Sequence, residues 1–148
     1  MQPACAAALI ANPTLEPSLR AWLSEDVGRG DLTAPALVGV RGRGSWIAKQ
    51  AGIFCGGVLV EPLFQLLDPA VTVQLLVADG EAVVVGQTLL RLDGPATALV
   101  AGERTALNLA MRLSGVATAT AALVQQLEGT GVRLADTRKT TPGLRQLE

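Results

Sequence analysis

The stretch D-G-E-A-V-V-V-G-Q-T-L-L-R-L-D-G, residues Asp79 to Gly94, decides the fold. Asp79-Gly80 is a tight-turn signal, and Val83 to Val85 is a β-branched run that favours extended backbone. Gly86-Gln87 turns the chain, and Thr88 to Leu92 reads as a further strand. Upstream, Val71 to Val77 is a strand of the same kind, and so is S-W-I-A-K-Q, Ser45 to Gln50. Glycines at 39, 42 and 44 surround Arg41 and Arg43 just before it. A phosphate cradle opens onto a helix N-terminus, whereas these glycines open onto a strand, so they read as a hairpin turn or bulge.

Helical spacing flanks this strand region. Leu15, Leu19, Trp22 and Leu23 mark a helix to about Ser24, with Thr14 as its N-cap and Pro17 in its first turn. The turn E-D-V-G-R-G-D ends it. Helical character returns from Gly57 to Leu67, with Leu59, Leu63, Leu66 and Leu67 on one face. Pro95 opens a long helical stretch in which Leu99, Ala106, Leu107, Ala110 and Leu113 keep the rhythm, and Ser114-Gly115 reads as its stop. A second alanine-rich helix follows from Ala117 to Leu127, then a strand from Val132 to Ala135. The change from strand-rich to α/β pattern near residue 95 gives an N-terminal tail (1–14), an α/β sandwich (15–97, its closing helix running on from 95) and a second unit (98–148). The Asp79 to Gly94 string is hammerhead-like, as in biotinyl and lipoyl carrier modules. Those modules carry a lysine at an exposed hairpin tip, and this segment has none, so the strand path is expected without the carrier function.

Composition excludes several classes. The 148 residues are 49% hydrophobic and 17% charged, ample for a packed core. At 3% aromatic content, that core must be built from Leu, Val and Ala. A net charge of −1 gives no reason to expect nucleic acid or an anionic membrane as partner. Histidine is absent, and Cys5 and Cys55 are too far apart in sequence for a C-x-x-C pair, so both read as free buried thiols. The first basic residue is Arg20, so the opening lacks the positive region of a signal peptide. No apolar run reaches the ~18 residues a bilayer span needs. A soluble cytoplasmic protein is the expectation.

The chemistry concentrates in L-A-D-T-R-K-T-T-P-G-L-R, Leu134 to Arg145. An apolar approach ends in adjacent Arg138 and Lys139, with no acid after them until Glu148. Arginine grips a carboxylate in two places and lysine adds a compact point charge, which suits a small ligand bearing more than one negative charge. Asp136 alone is near enough in sequence to neutralise the pair, and alternation along an extended segment sends the two cations to different sides. If Val132 to Ala135 is the first strand of an α/β barrel, these residues stand at its C-terminal end, where catalytic groups collect. Upstream, Glu103 and Arg104 fall in the middle of the Pro95 helix, where an isolated pair would ordinarily decorate a solvated face.

Three strings together, E-D-V-G-R-G-D-L-T (Glu25 to Thr33), E-R-T-A-L-N (Glu103 to Asn108) and D-T-R-K-T-T-P-G-L-R (Asp136 to Arg145), closely resemble the quinolinate phosphoribosyltransferase family. They occur in the family's order and at about its spacing, and the resemblance runs from about Leu15 to Glu148. One departure is Ala34, where the family usually has a second threonine after G-D-L-T.

The resemblance implies an α+β chain: a hammerhead-like α/β sandwich followed by the start of a truncated α/β barrel. It implies synthesis of nicotinate mononucleotide, pyrophosphate and CO₂ from quinolinate and phosphoribosyl pyrophosphate, within a homodimer. Arg104 would reach across the dimer interface to a quinolinate carboxylate, with Glu103 orienting it and Asn108 structural. Arg138 and Lys139 would contact quinolinate or the phosphoribosyl donor, Lys139 as the catalytic group, and Thr137 would add hydrogen bonds. Arg145 is left as helix surface. Mg²⁺ is implied as cofactor, with its ligands beyond Glu148 and no metal ligand in this chain. An H-R pair, a further lysine and a glycine-rich phosphate site would also come later, so the 148-residue chain is expected to be inactive alone. The alternative is a noncatalytic binding or dimerisation module derived from the same family.

Overall fold

Leu15, Leu19 and Leu23 recur every fourth residue, and all three are buried along one side of α1 (Leu15–Val27). The computed structural model describes residues 8–28 and 30–148, so the readings placed on Cys5, on the first part of the N-terminal tail and on Arg29 lie outside the described residues. Thr14 occupies the N-cap position of α1 without capping it. Its hydroxyl instead donates to Asn12 Oδ1 at 2.8 Å and to Gln146 Oε1 at 3.0 Å, far along the chain. The helix runs three residues past Ser24 and stops at Gly28, whose N–H donates to Ser24 O at 2.9 Å.

Five strands follow: β1 (Arg41–Ile47), β2 (Gly52–Ile53), β3 (Thr72–Leu75), β4 (Ala82–Val83) and β5 (Thr88–Pro95). A three-stranded antiparallel sheet has the order β1-β5-β3, and β2 pairs with β4 in a second sheet. Register in the first sheet sets Gly44 opposite Leu92 and Trp46 opposite Leu90, with Val73 facing Leu92 from the other side. The Asp79 to Gly94 stretch thus changes sheets at the turn around Gly86, whose φ of 86° a side chain would strain. The tip is occupied by Val84 and Val85, both mostly exposed, where a carrier module has its lysine.

The glycine-rich stretch corrects the expectation of a hairpin turn at 42 and 44. Both lie inside β1, bonded to β5. A Cβ at Gly42 would stand 3.2 Å from Leu99 Cδ1 and 3.4 Å from Ala96 Cβ, so the missing side chain lets a helix lie close over the strand. Only Gly39, at φ 79°, acts as a turn glycine, and the bulge sits later, between Trp46 and Ile47. Arg41 and Arg43 do not await a phosphate: both pair with Asp93 on β5, Arg43 Nε at 2.8 Å from Oδ2.

A 3₁₀ turn (Gly57–Leu59) leads into α2 (Val60–Gln65), which carries Val60, Leu63 and Phe64 into the centre. Phe64 and Leu63 are fully buried, each stabilising the fold by about 1.5–3 kcal/mol. Phe64 fits because Gly102 opposes it: a Cβ there would lie 2.7 Å from the ring.

The remaining helix, α3, is one 32-residue rod from Ala96 to Leu127. The expected stop at Ser114-Gly115 is therefore wrong. Its physical reason is lateral bonding: Ser114 Oγ accepts Cys55 N–H at 3.0 Å and donates to Cys55 O at 3.1 Å, and Thr118 Oγ1 accepts Ile53 N–H at 2.8 Å. A helix-interior glycine costs about 1 kcal/mol against alanine, too little to break a rod held on both sides of it. Unbroken, the helix is long and apolar enough, by length and composition, to cross a membrane, which corrects the reading of two short helices. Its apolar side from Ala96 to Leu113 is instead packed against the core, and it carries Glu103, Arg104 and Arg112.

Past Gly129 the structure departs again. Val132 to Ala135 forms no strand, and Val132 and Leu134 are 61% and 44% exposed. A barrel strand needs ladder partners on its flanks, and none is present among the described residues. The chain then folds back through turns at 142–147, placing Leu144 and Leu147 against the core. The architecture is α+β: a hammerhead-like sandwich of two small antiparallel sheets with α1 and α2, followed by the long helix α3.

Candidate functional site

The E-R-T-A-L-N string lies on the core-packed half of α3, and its periodicity sorts the residues. Thr105 and Ala106 point inward, while Glu103, Arg104 and Asn108 are exposed. Arg104 Nη1 donates to Asp26 Oδ1 at 2.9 Å, so a carboxylate in the last turn of α1 holds it and not the adjacent Glu103. Three quarters of the Arg104 side chain stays open to solvent. Asp26 was missed as a site residue, although it stands inside the first of the three family-like strings. The spacing alone offered no signal that it meets position 104. The Asn108 side chain forms no hydrogen bond among the described residues.

The basic loop is built differently. Residues 136–139 are all exposed, and Lys139 N–H donates to Thr137 Oγ1 at 3.3 Å, a local turn that gives Thr137 a structural contact. Among the described residues neither Arg138 nor Lys139 has an ion-pair partner, and Asp136 does not neutralise them. Arg145 belongs to this loop and not to a helix surface. Its guanidinium donates weakly to Thr140 Oγ1 at 3.3 Å and to Arg138 O at 3.4 Å. No hydrogen bond or ion pair joins Arg104 to Thr137, Arg138 or Lys139 among the described residues.

Immediately after the loop the chain is clasped. Glu148 accepts from Thr141 N–H at 2.9 Å and from the Thr141 hydroxyl at 2.8 Å. Arg112 on α3 reaches the same carboxylate through Nε at 2.9 Å and Nη2 at 2.8 Å. These contacts, the Thr141 N–H foremost, hold the Glu148 carboxyl below its ordinary value. Between α1 and this folded-back segment runs a groove of about 370 Å³, with Trp22, Ser18 and Thr14 on one side and Pro142, Arg145 and Gln146 on the other.

Elsewhere, polar groups are engaged in structure. Hydrogen bonds from Arg41 and then Arg43 hold Asp93 below its ordinary value. Buried Asp79 accepts Gly56 N–H at 3.0 Å and Gly57 N–H at 2.8 Å. Cys55 is free but only half-buried, and burial first, then the Asp79 charge, push its thiol up and away from reactivity. Among the described residues no three acidic or thiol groups converge in a way that could hold a metal ion.

The arrangement can bind anions at the 136–140 loop. Two adjacent cations, Arg138 and Lys139, stand there exposed and without an ion-pair partner among the described residues.

Comparison with known proteins gives the same two segments a common source. The family model described as quinolinate phosphoribosyl transferase, N-terminal domain, matches residues 31–114, and that of the C-terminal domain matches residues 116–148. A probable nicotinate-nucleotide pyrophosphorylase [carboxylating] of Synechocystis is 44% identical over 90% of this chain. Its Bacillus subtilis counterpart is 43% identical over 90%. The crystal structure of NadC from Streptococcus pyogenes superposes at a TM-score of 0.85 with 36% identity, over 90% of this chain and 49% of that one. The nicotinate-nucleotide pyrophosphorylase structure from Francisella tularensis gives 0.84 at 31% identity, over 89% and 47%. The chain spans just under half the length of these curated relatives, 46% and 47%.

Proposed function

Because this chain belongs to the quinolinate phosphoribosyltransferase family, we propose that it supplies the quinolinate-gripping part of an enzyme making nicotinate mononucleotide. The observation that carries this reading is the uncompensated Arg138–Lys139 pair on an exposed loop within the segment matched by the family's C-terminal domain. Quinolinate sets two carboxylates side by side on a pyridine ring. Their mutual repulsion is offset by convergent guanidinium and ammonium groups, which also orient the ring nitrogen. Arg138 takes a carboxylate through its planar fork. Lys139 acts as the catalytic cation beside the reacting centre, and Thr137 adds a hydroxyl. Arg104 joins from the second protomer of a homodimer, and its exposed position on α3 suits that reach.

In the reaction the nitrogen lone pair forms a bond to the anomeric carbon of phosphoribosyl pyrophosphate as the bond to pyrophosphate breaks. The C2 carboxylate then leaves as CO₂, its electron pair returning to the ring and being protonated there. Mg²⁺ would accompany the donor's pyrophosphate, but the described residues form no cluster fit to hold it, so no step is assigned to this chain through the metal. The reading takes the cytoplasm as its location, with neither nucleic acid nor membrane as partner.

Isothermal titration with quinolinate tests the reading. Binding that Arg138→Ala weakens by tenfold or more, about 1.4 kcal/mol or above, supports it. No binding by the unaltered chain, with tight self-association, supports the noncatalytic module instead. Nicotinate mononucleotide formed by the 148-residue chain alone, given both substrates and Mg²⁺, would refute its inactivity in isolation.

A further inference from the structure

We propose that Glu148, clasped by Arg112, is the positioning residue for the basic loop, fixing where Arg138 and Lys139 stand; the inference rests on the substrate reading just given. Among the described residues, the loop holds itself only through the long Lys139 N–H to Thr137 Oγ1 bond at 3.3 Å. Residues 136–140 are polar, carry no regular structure, and are preceded by an exposed stretch without ladder bonds. The Arg145 contacts to it are long, at 3.3 and 3.4 Å. Its first firm anchor is Thr141, which gives both its N–H and its hydroxyl to the Glu148 carboxylate at 2.9 and 2.8 Å.

That carboxylate is anchored in turn. Arg112 meets it with two nitrogens while a third contact, Nη2 to the Thr141 hydroxyl at 2.8 Å, closes a three-cornered network. Only 8% of the Glu148 side chain is exposed, while Arg112 closes over it from the solvent side with about half of its own side chain open to water. Arg112 stands on the part of α3 packed into the core, between buried Ala110 and Leu113. The loop is thereby referenced to the core-packed half of α3 through one side chain. Arg112 is the clasp's one cation and is committed to Glu148 and Thr141, so the clasp's role is placement.

The test compares Glu148→Gln and Arg112→Gln with the unaltered chain and with Arg20→Gln, which breaks a surface pair on α1 remote from the loop. Trypsin cleavage after Arg138 and Lys139 is followed by mass spectrometry, and quinolinate affinity by titration, with circular dichroism checking that each variant is folded. Both clasp variants are expected to be cut roughly tenfold faster and to bind quinolinate roughly tenfold more weakly, while Arg20→Gln changes neither. Unchanged cleavage in both clasp variants would overturn the clasp. Faster cleavage with unchanged quinolinate affinity would overturn the positioning role and leave a structural one. Failure of the unaltered chain to bind quinolinate would defeat the substrate reading itself, and the cleavage comparison would still decide whether the clasp holds the loop.

Discussion

Thr105 carries a buried hydroxyl that has no hydrogen-bond partner, at 6% exposure. Its neighbours Glu103 and Arg104 were legible as candidates because charged types in a helical rhythm advertise themselves. An inward threonine reads from sequence as ordinary helix filler. An unpaired buried hydroxyl costs roughly 1–3 kcal/mol, and an apolar group of the same shape removes that cost. Thr105→Val should therefore stabilise the protein by about 1 kcal/mol, raising the denaturant midpoint without changing the slope of the transition. Glu148 supplies a pH prediction. Its folded pKa lies below the ordinary value of 4.5, so its contribution is fully present above about that pH. The contribution is lost as pH falls through the lower folded value, Arg112 remaining charged throughout. The Thr141 amide resonance, followed by NMR, should move with a midpoint below that of a free glutamate, and the movement should vanish in Glu148→Gln. What the sequence hid at this scale was partners: Asp26 for Arg104 and Thr141 for Glu148 are tertiary meetings that no spacing encodes.

Helices were legible wherever one face was apolar, as α1 and α2 illustrate, because burial enforces the period. The break expected inside α3 failed for an instructive reason. Ser114-Gly115 is a good stop signal for an isolated helix, but here Ser114 and Thr118 spend their hydroxyls on the backbone of residues 53 and 55. Ser114, which looked like punctuation, and Thr118 one turn on are stitches between helix and sheet edge. Thr118→Val removes the acceptor for Ile53 N–H while keeping the side-chain shape, leaving a part-buried donor unmatched. It should destabilise by about 1–2 kcal/mol, measured by chemical denaturation, and speed exchange of the Ile53 amide. The first half of β1 was hidden by the opposite effect: glycine weakens strand propensity, and only its close fit against Leu99 explains Gly42 there.

Across the whole molecule, the hammerhead-like layering was readable because turn glycines and β-branched runs alternate at short intervals. The strand expected at Val132 to Ala135 was not realised, since sheet structure is a property of neighbours and not of a segment. The candidate loop was readable as charge and motif, whereas its geometry depends on turns downstream of it. The same dependence governs where the protein can be cut. Sequence pattern shifts near residue 95, yet Ala98, Ala106, Leu109, Ala110 and Leu113 of α3 all contribute to the sandwich's own interior. Stripping them forfeits about 1.5–3 kcal/mol for each leucine, against a total stability of typically 5–15 kcal/mol. A polypeptide stopped at residue 97 should give no cooperative melt by circular dichroism, and one carried through Leu127 should. The long helix is thus a tenon cut from one piece of timber and seated in another: anyone dividing this protein at the visible seam would saw through the joint.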